Sequence, residues 1–193
     1  MAKDYLLALS AAADSYPVTS DQVKADLKIE HSAEDELISD LISAATEYVS
    51  EVIGKKLITQ TWALSLNGAI GRVDLPIFPV QSIASITYYD TDDESQSLTT
   101  GNFYLYSGED WAYIEPKSGV QWPAMFNRLD ALTITFVAGF GAADAVPPTI
   151  ARAIRLLVAH WYRNRSPVTD KAATEIPLSV DSLLSTQRKG WAG

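Results

Sequence analysis

Cysteine is absent from the 193 residues, which excludes disulfides, thiolate zinc sites and cysteine nucleophiles. Histidine is nearly absent, with His31 and His160 the only two. A Ser-His-Asp arrangement would need one of them. His160 falls beside the apolar stripe of a predicted core helix and His31 just before a helix start, positions where histidine is ordinarily structural. Neither G-x-S-x-G nor G-x-x-x-x-G-K-[ST] occurs, and the lone Gly139-Phe140-Gly141 lacks the third glycine of a nucleotide fingerprint. No apolar run reaches membrane-spanning length, because Arg152, Arg155 and Arg163 interrupt the longest candidate around 156–158. A secretory leader is not expected either, since Lys3 is offset by Asp4.

Positive charge is also scarce through most of the chain. Residues 1–146 hold 8 basic and 21 acidic side chains, whereas residues 147–193 hold 7 and 3. The whole carries −9. Affinity for duplex DNA comes mainly from Lys and Arg neutralising phosphates, so an acidic body argues against grip on DNA and reads either as plain solubility or as a surface that DNA passes without sticking. Hydrophobic residues at 47% and charged residues at 20% fit a folded domain of this length.

What the sequence has in plenty is helical periodicity near its end. Over Val146–Arg165, Pro147 and Pro148 suit a helix start, where a missing amide hydrogen costs nothing. Ile150, Ala153, Ile154, Leu157, Val158, Trp161 and Tyr162 then recur at three- and four-residue spacing, which predicts one broad apolar face. Arg163 and Arg165 complement the carbonyl end of the dipole, and Pro167 forbids continuation.

Taken in order, residues 1–17 have no sustained period and read as an extended N-terminal arm. Thr19 or Ser20 caps a short helix with Val23, Leu27 and Ile29 as its apolar positions. A longer helix over 33–53 follows, with Ser32 as N-cap and Gly54 as terminator. Its apolar side chains run from Leu37 to Ile53 and make it the natural partner of the late helix. Between these helices the period falls to two. Strands are predicted at 61–66, 72–75, 80–89, 103–106, 111–115 and 132–137, with turn signals between them.

The predicted class is therefore α+β: a helical core of two long packed helices plus a short N-terminal helix, an inserted small antiparallel β domain and an extended C-terminal arm. The boundaries read as a 1–17 arm, an 18–56 helical part, a 57–141 β-rich insertion, a 146–166 core helix and a 167–193 linker and docking arm. Candidate core residues are Leu41, Ala45, Val49, Ile154, Leu157 and Trp161.

Two other clusters invite chemistry. Asp90, Asp92, Asp93 and Glu94 offer oxygen ligands but lack the glycine and spaced Glu of an EF-hand loop, so a solvated hairpin tip is expected. Tyr88, Tyr89, Phe103, Tyr104, Tyr106, Trp111 and Tyr113 could form a sugar or base platform, or could simply pack on a sheet. Beyond them, Ile176, Pro177, Leu178, Val180, Leu183, Leu184 and Arg188 form a segment too apolar for a solvated tail. It must either fold back on its own subunit or dock on a neighbour. Docking would leave it mobile in the isolated chain and ordered only in an assembly.

The order of motifs resembles the head–tail connector (adaptor) proteins of tailed phages and phage-derived gene transfer agents. The pieces are Val18-Thr19 with Val23–Lys28, Asp35–Ile38 with Leu41–Ala45, Gly54–Trp62, Leu75–Ile83, Trp122-Pro123, Ala138–Gly141, the Pro147–Arg165 helix, and Ile176-Pro177 with Leu183, Leu184 and Arg188. They are collinear over residues 18–188. Asp26 departs from the pattern, standing where a basic or small residue is expected.

The resemblance implies a ring of twelve copies below the portal protein, in the neck of a particle assembled in the bacterial cytoplasm. Such a ring would contact further neck or tail-joining proteins and extend a channel through which DNA passes without specific binding. It would use no cofactor, no metal and no membrane, and would not be an enzyme. Ile176, Pro177, Leu178, Val180, Leu183, Leu184 and Arg188 would then be the portal or intersubunit interface. The residues leave two other readings open: a carbohydrate- or protein-binding β module, and a hydrolase with an unrecognised site.

The charge pattern makes a direct prediction. The purified protein should give no measurable shift of duplex DNA in a mobility assay near physiological salt. Tight, salt-sensitive binding would contradict the reading of the acidic body.

Overall fold

The computed structural model describes residues 5–164 and 177–188. The chain divides into two units, each discontinuous in sequence. One holds the described residues of Met1–Ala13 with Thr59–Phe140; the other holds Asp14–Ile58 with the described residues of Gly141–Gly193. The first is a β unit and the second is helical, so the class is α+β.

In the helical unit, α1 (Ser20–Leu27) starts at a reciprocal cap. The Thr19 hydroxyl accepts from the Gln22 amide, and the Gln22 side chain accepts from the Thr19 amide. Lys28, left-handed at φ 58°, ends it. Helix α2 (Asp35–Ile53) begins after Glu34 with no side-chain cap, not at Ser32 as expected. Asp35 and Glu36 in its first turn supply the favourable anionic charge, and Gly54 at φ 71° closes it. Helix α3 (Pro148–Arg163) carries proline in its first turn.

α2 buries Ile38, Ile42, Ala45, Val49 and Ile53, and α3 buries Ile150, Ala153, Ile154, Leu157 and Val158. The two helices pack on each other, and α1 packs against both. Leu41 and Trp161 are only half-buried, contrary to expectation. Leu41 lies roughly 80° around the helix from the middle of the buried stripe. Trp161 sits in the last turn of α3, where its ring meets Tyr48 edge-on at 6.3 Å between centroids.

The β unit has a five-stranded sheet in the order β1-β2-β8-β4-β5 and a three-stranded sheet in the order β3-β7-β6. The strands are β1 Tyr5–Ala11, β2 Gln60–Leu66, β3 Val73–Asp74, β4 Val80–Tyr89, β5 Ser95–Leu98, β6 Phe103–Ser107, β7 Ala112–Pro116 and β8 Leu132–Ala138. Every pairing between them is antiparallel. The alternation of β8 is complete: Leu132, Ile134, Phe136 and Ala138 are buried, and Thr133, Thr135 and Val137 are not.

The registers align Leu7, Leu64, Ile134, Ile86 and Leu98 in one row across all five strands. Side chains directly opposite on one face are the unit of sheet stabilisation. The row faces Val73, Phe103, Ala112 and Ile114 of the smaller sheet in a shared core. Two strands were not expected. Tyr5–Ala11, read as an arm, is an edge strand, because its near-uniform apolarity hides any period. Ser95–Leu98, for which no strand is predicted, pairs with β4 through residues 86–89.

The stripe of α3 predicts the cost of emptying it. Leu157→Ala should destabilise the protein by about 2–5 kcal/mol, read as a lower denaturation midpoint. A change below ~1 kcal/mol would mean that Leu157 is not enclosed as described.

Candidate functional site

The C-terminal segment was the leading candidate surface, and its position corrects the expectation of an extended, waiting arm. Ile176 lies outside the described residues. Pro177 starts α4 (Leu178–Ser185), a helix that packs on α3 and α2 of its own chain. Val180 and Leu184, four residues apart, are fully buried there. An eight-residue helix is marginal alone and gains its stability from such packing. α3 is apolar around a wide arc, and α4 covers a strip of it. Leu183 is half-buried and Leu178 is 88% exposed. Arg188 Nη2 donates to Asp181, closing the outward side of the helix end. What the segment offers a partner is thus Leu178, one side of Leu183 and the Asp181–Arg188 pair.

A polar frame fixes the helices around that stripe. Asp26 accepts from Arg155 Nε at 2.8 Å and Nη2 at 2.5 Å, and from Arg152 Nη1 at 3.2 Å. The acidic residue that departs from the resembled pattern therefore has a structural role, tying α1 to α3. Lys24 Nζ reaches Asp35 at 2.7 Å, and the Tyr162 hydroxyl donates to Glu34. Nothing in the sequence signalled these pairs, because their members lie far apart along the chain.

The acidic hairpin tip is satisfied internally. Asp90 accepts from the amides of Asp92 and Glu94 and from Gln96 Nε2, at 2.8–3.1 Å. These bonds, led by Gln96, hold its carboxyl below the ordinary value. Arg128 donates to Asp130 at 2.7 Å and Asp93 at 2.9 Å while stacking 3.8 Å over the Tyr89 ring. Its hydrogen bonds depress the Asp130 carboxyl as well. Among the described residues no group of three or more His, Asp or Glu side chains is placed to hold a metal.

Of the aromatic residues, Tyr104, Tyr106 and Tyr113 lie on the outer face of the three-stranded sheet with Trp111 just before β7, whereas Phe103 is buried in the shared core and Tyr88 and Tyr89 belong to β4. Tyr106 and Tyr113 are cross-strand partners with rings 5.1 Å apart and 28° between planes; Trp111 stacks on Tyr113 at 5.8 Å and 27°. Arg72 lies 5.0 Å from the Tyr113 ring and Lys117 5.0 Å from the Tyr104 ring. Partial burial and Glu115 hold the Tyr106 hydroxyl above its ordinary value, so it stays protonated. Stacked rings turn their faces to one another and their edges to solvent. Tyr106 and Tyr113 thus reinforce the strand pairing, and Trp111, which ends the stack, is 53% exposed.

Beside it, an open cavity of about 480 Å³ is lined by residues 69–72, Glu115, Pro116 and residues 120–122. Arg72 and Glu115 are its ionisable residues, and no carboxylate pair faces across it. Trp122 Nε1 pins the loop beside it by donating to the Gly71 carbonyl at 2.8 Å.

The family model described as head completion protein matches residues 18–175. No curated protein matches. Among solved structures, a chain in the neck of an empty gene transfer agent particle computed with C6 symmetry is similar, with a TM-score of 0.77 and 24% identity over 96% of both chains. A chain of the virion of a native gene transfer agent particle gives 0.77 at 22% identity, with the same coverage. A chain in the native neck computed with C12 symmetry gives 0.70 at 22%, again over 96% of each.

The Arg128 cluster carries a pH prediction. A carboxyl depressed in the folded state contributes stability that is present above its unfolded pKa and lost as pH falls through the folded one. Thermal stability should therefore decline as pH drops below the usual carboxylate range. Asp130→Asn should show a shallower decline in the same melts, and an identical slope would remove the cluster from the account.

Proposed function

Since the match over residues 18–175 makes the chain a member of the head completion protein family, we propose that it is a structural adaptor in the neck of a phage-like particle. In this reading, copies form a ring below the portal, join head to tail and extend the DNA channel. The observation that carries it is whole-chain likeness in fold, 96% of both chains, to a neck chain of a gene transfer agent particle. Likeness to a chain in a neck computed with C12 symmetry supports twelve copies. Contacts do the work of such a protein, and no catalysis is involved.

The portal contact falls to the C-terminal segment. Because Val180 and Leu184 are used within the chain, the outward side of α4 meets the portal through Leu178, Leu183 and Arg188, with Ile176 and Pro177 leading into it. Burying Leu178, now almost fully hydrated, could contribute about 1.5–3 kcal/mol to that contact.

Particles made with Leu178→Asp should accumulate as heads and tails that fail to join, while the purified variant melts as the parent does. Normal joining would remove α4 from the portal contact. Normal joining by particles lacking the protein altogether would remove the neck role.

A further inference from the structure

The five-stranded sheet ends in β1 on one side and β5 on the other, and among the described residues neither has a second strand beside it. Natural sheets guard bare edges with lysine, proline, inward charge or a strand too short to recruit a partner. β1 has none of these. Tyr5-Leu6-Leu7-Ala8-Leu9-Ser10-Ala11 is seven residues without charge or proline, and Leu6 and Leu9 are 57% and 47% exposed. Its irregularity lies between Leu9 and Ala11, leaving the register from Tyr5 to Leu9 unbroken. At the other end, Ser95-Gln96-Ser97-Leu98 is short at four residues, but it is uncharged too and its first three residues are exposed. One sheet therefore offers two bare, uncharged edges on opposite sides.

We infer that β1 of one copy pairs with β5 of the next, so that the five-stranded sheets join edge to edge around the ring. This rests on the ring reading above and names the surface that makes the ring. A closed ring needs two different, complementary surfaces per copy, whereas β1 meeting β1 would close a dimer and stop. All four pairings within the sheet are antiparallel, so β1 and β5 point the same way. Rotation by one step of a many-membered ring nearly preserves strand direction, and the junction is therefore parallel.

Charge selects the occupant. Copies carrying −9 each repel over most of their surface, and the two edges allow contact with no side-chain charge in either strand. A basic partner would instead seek the carboxylates that these strands lack.

The cysteine-free chain makes the test clean. Double variants Ala8→Cys with Ser97→Cys, and Leu6→Cys with Ser95→Cys, are incorporated into particles, oxidised and run without reductant. At least one double variant should give a ladder of dimer, trimer and higher species, while each single variant stays monomeric. A dimer from Ala8→Cys alone would overturn the inference, since β1 would then meet β1. So would monomers from both double variants when immunoblots find the protein in purified particles. Absence of the parent protein from particles would overturn the ring reading, and this inference with it. As a second measurement, Leu6→Lys should keep the parental melting temperature yet fall at least tenfold in incorporation; unchanged incorporation would overturn the edge contact.

Discussion

The helical unit depends on hiding the stripe of α3. Ile150, Ala153, Ile154, Leu157 and Val158 are completely buried, and burying a side chain of the larger kinds contributes about 1.5–3 kcal/mol. One neighbouring helix cannot cover so wide an arc. α2 takes the larger share, and α1 and α4 take the flanks. The ion pairs around the rim are secondary in energy, since partly exposed pairs contribute about 0.2–1 kcal/mol. Their effect is on choice. Asp26 between Arg152 and Arg155, and Lys24 on Asp35, set where α1 lies along a stripe that would accept several positions.

The β unit solves the same problem with a different period. Its constraint is the row Leu7, Leu64, Ile134, Ile86 and Leu98, five strands wide and one residue deep per strand. A one-residue slip in any strand would send its member of the row to the opposite face. The central strand β8 alternates most regularly. Edge strands escape that discipline, and β1 alternates in burial only through its first four residues.

Legibility followed the same division. α2, α3 and β8 could be read because each buries one face and leaves the other wet, which writes a period into the sequence. Tyr5–Ala11 could not, because a leucine-rich edge strand shows no contrast between its faces. Ser95–Leu98 is short and polar and was lost beside the acidic tip. Residues 178–185 were legible as apolar but not as to destination, since composition says that leucines must be covered and not by what. The pairs of Asp26 and Glu34 were out of reach altogether, being set by which helices meet. The aromatic cluster was seen, but only ring orientation separates a stack from a platform.

The two units are interleaved along the chain, and this bears on how the protein is made. β1 is synthesised first, yet its partner β2 follows only after α1 and α2. α2 in turn waits for α3 while residues 59–140 are translated, an interval of roughly 4–16 s at ordinary elongation speeds of about 5–20 residues per second. During it the face of Ile38, Ile42, Val49 and Ile53 has no permanent cover, a natural foothold for chaperones that hold nascent chains. A messenger RNA cut short anywhere before α3 yields no finished helical unit. Such a product leaves the apolar face of α2 without the helix that takes the largest share of its cover.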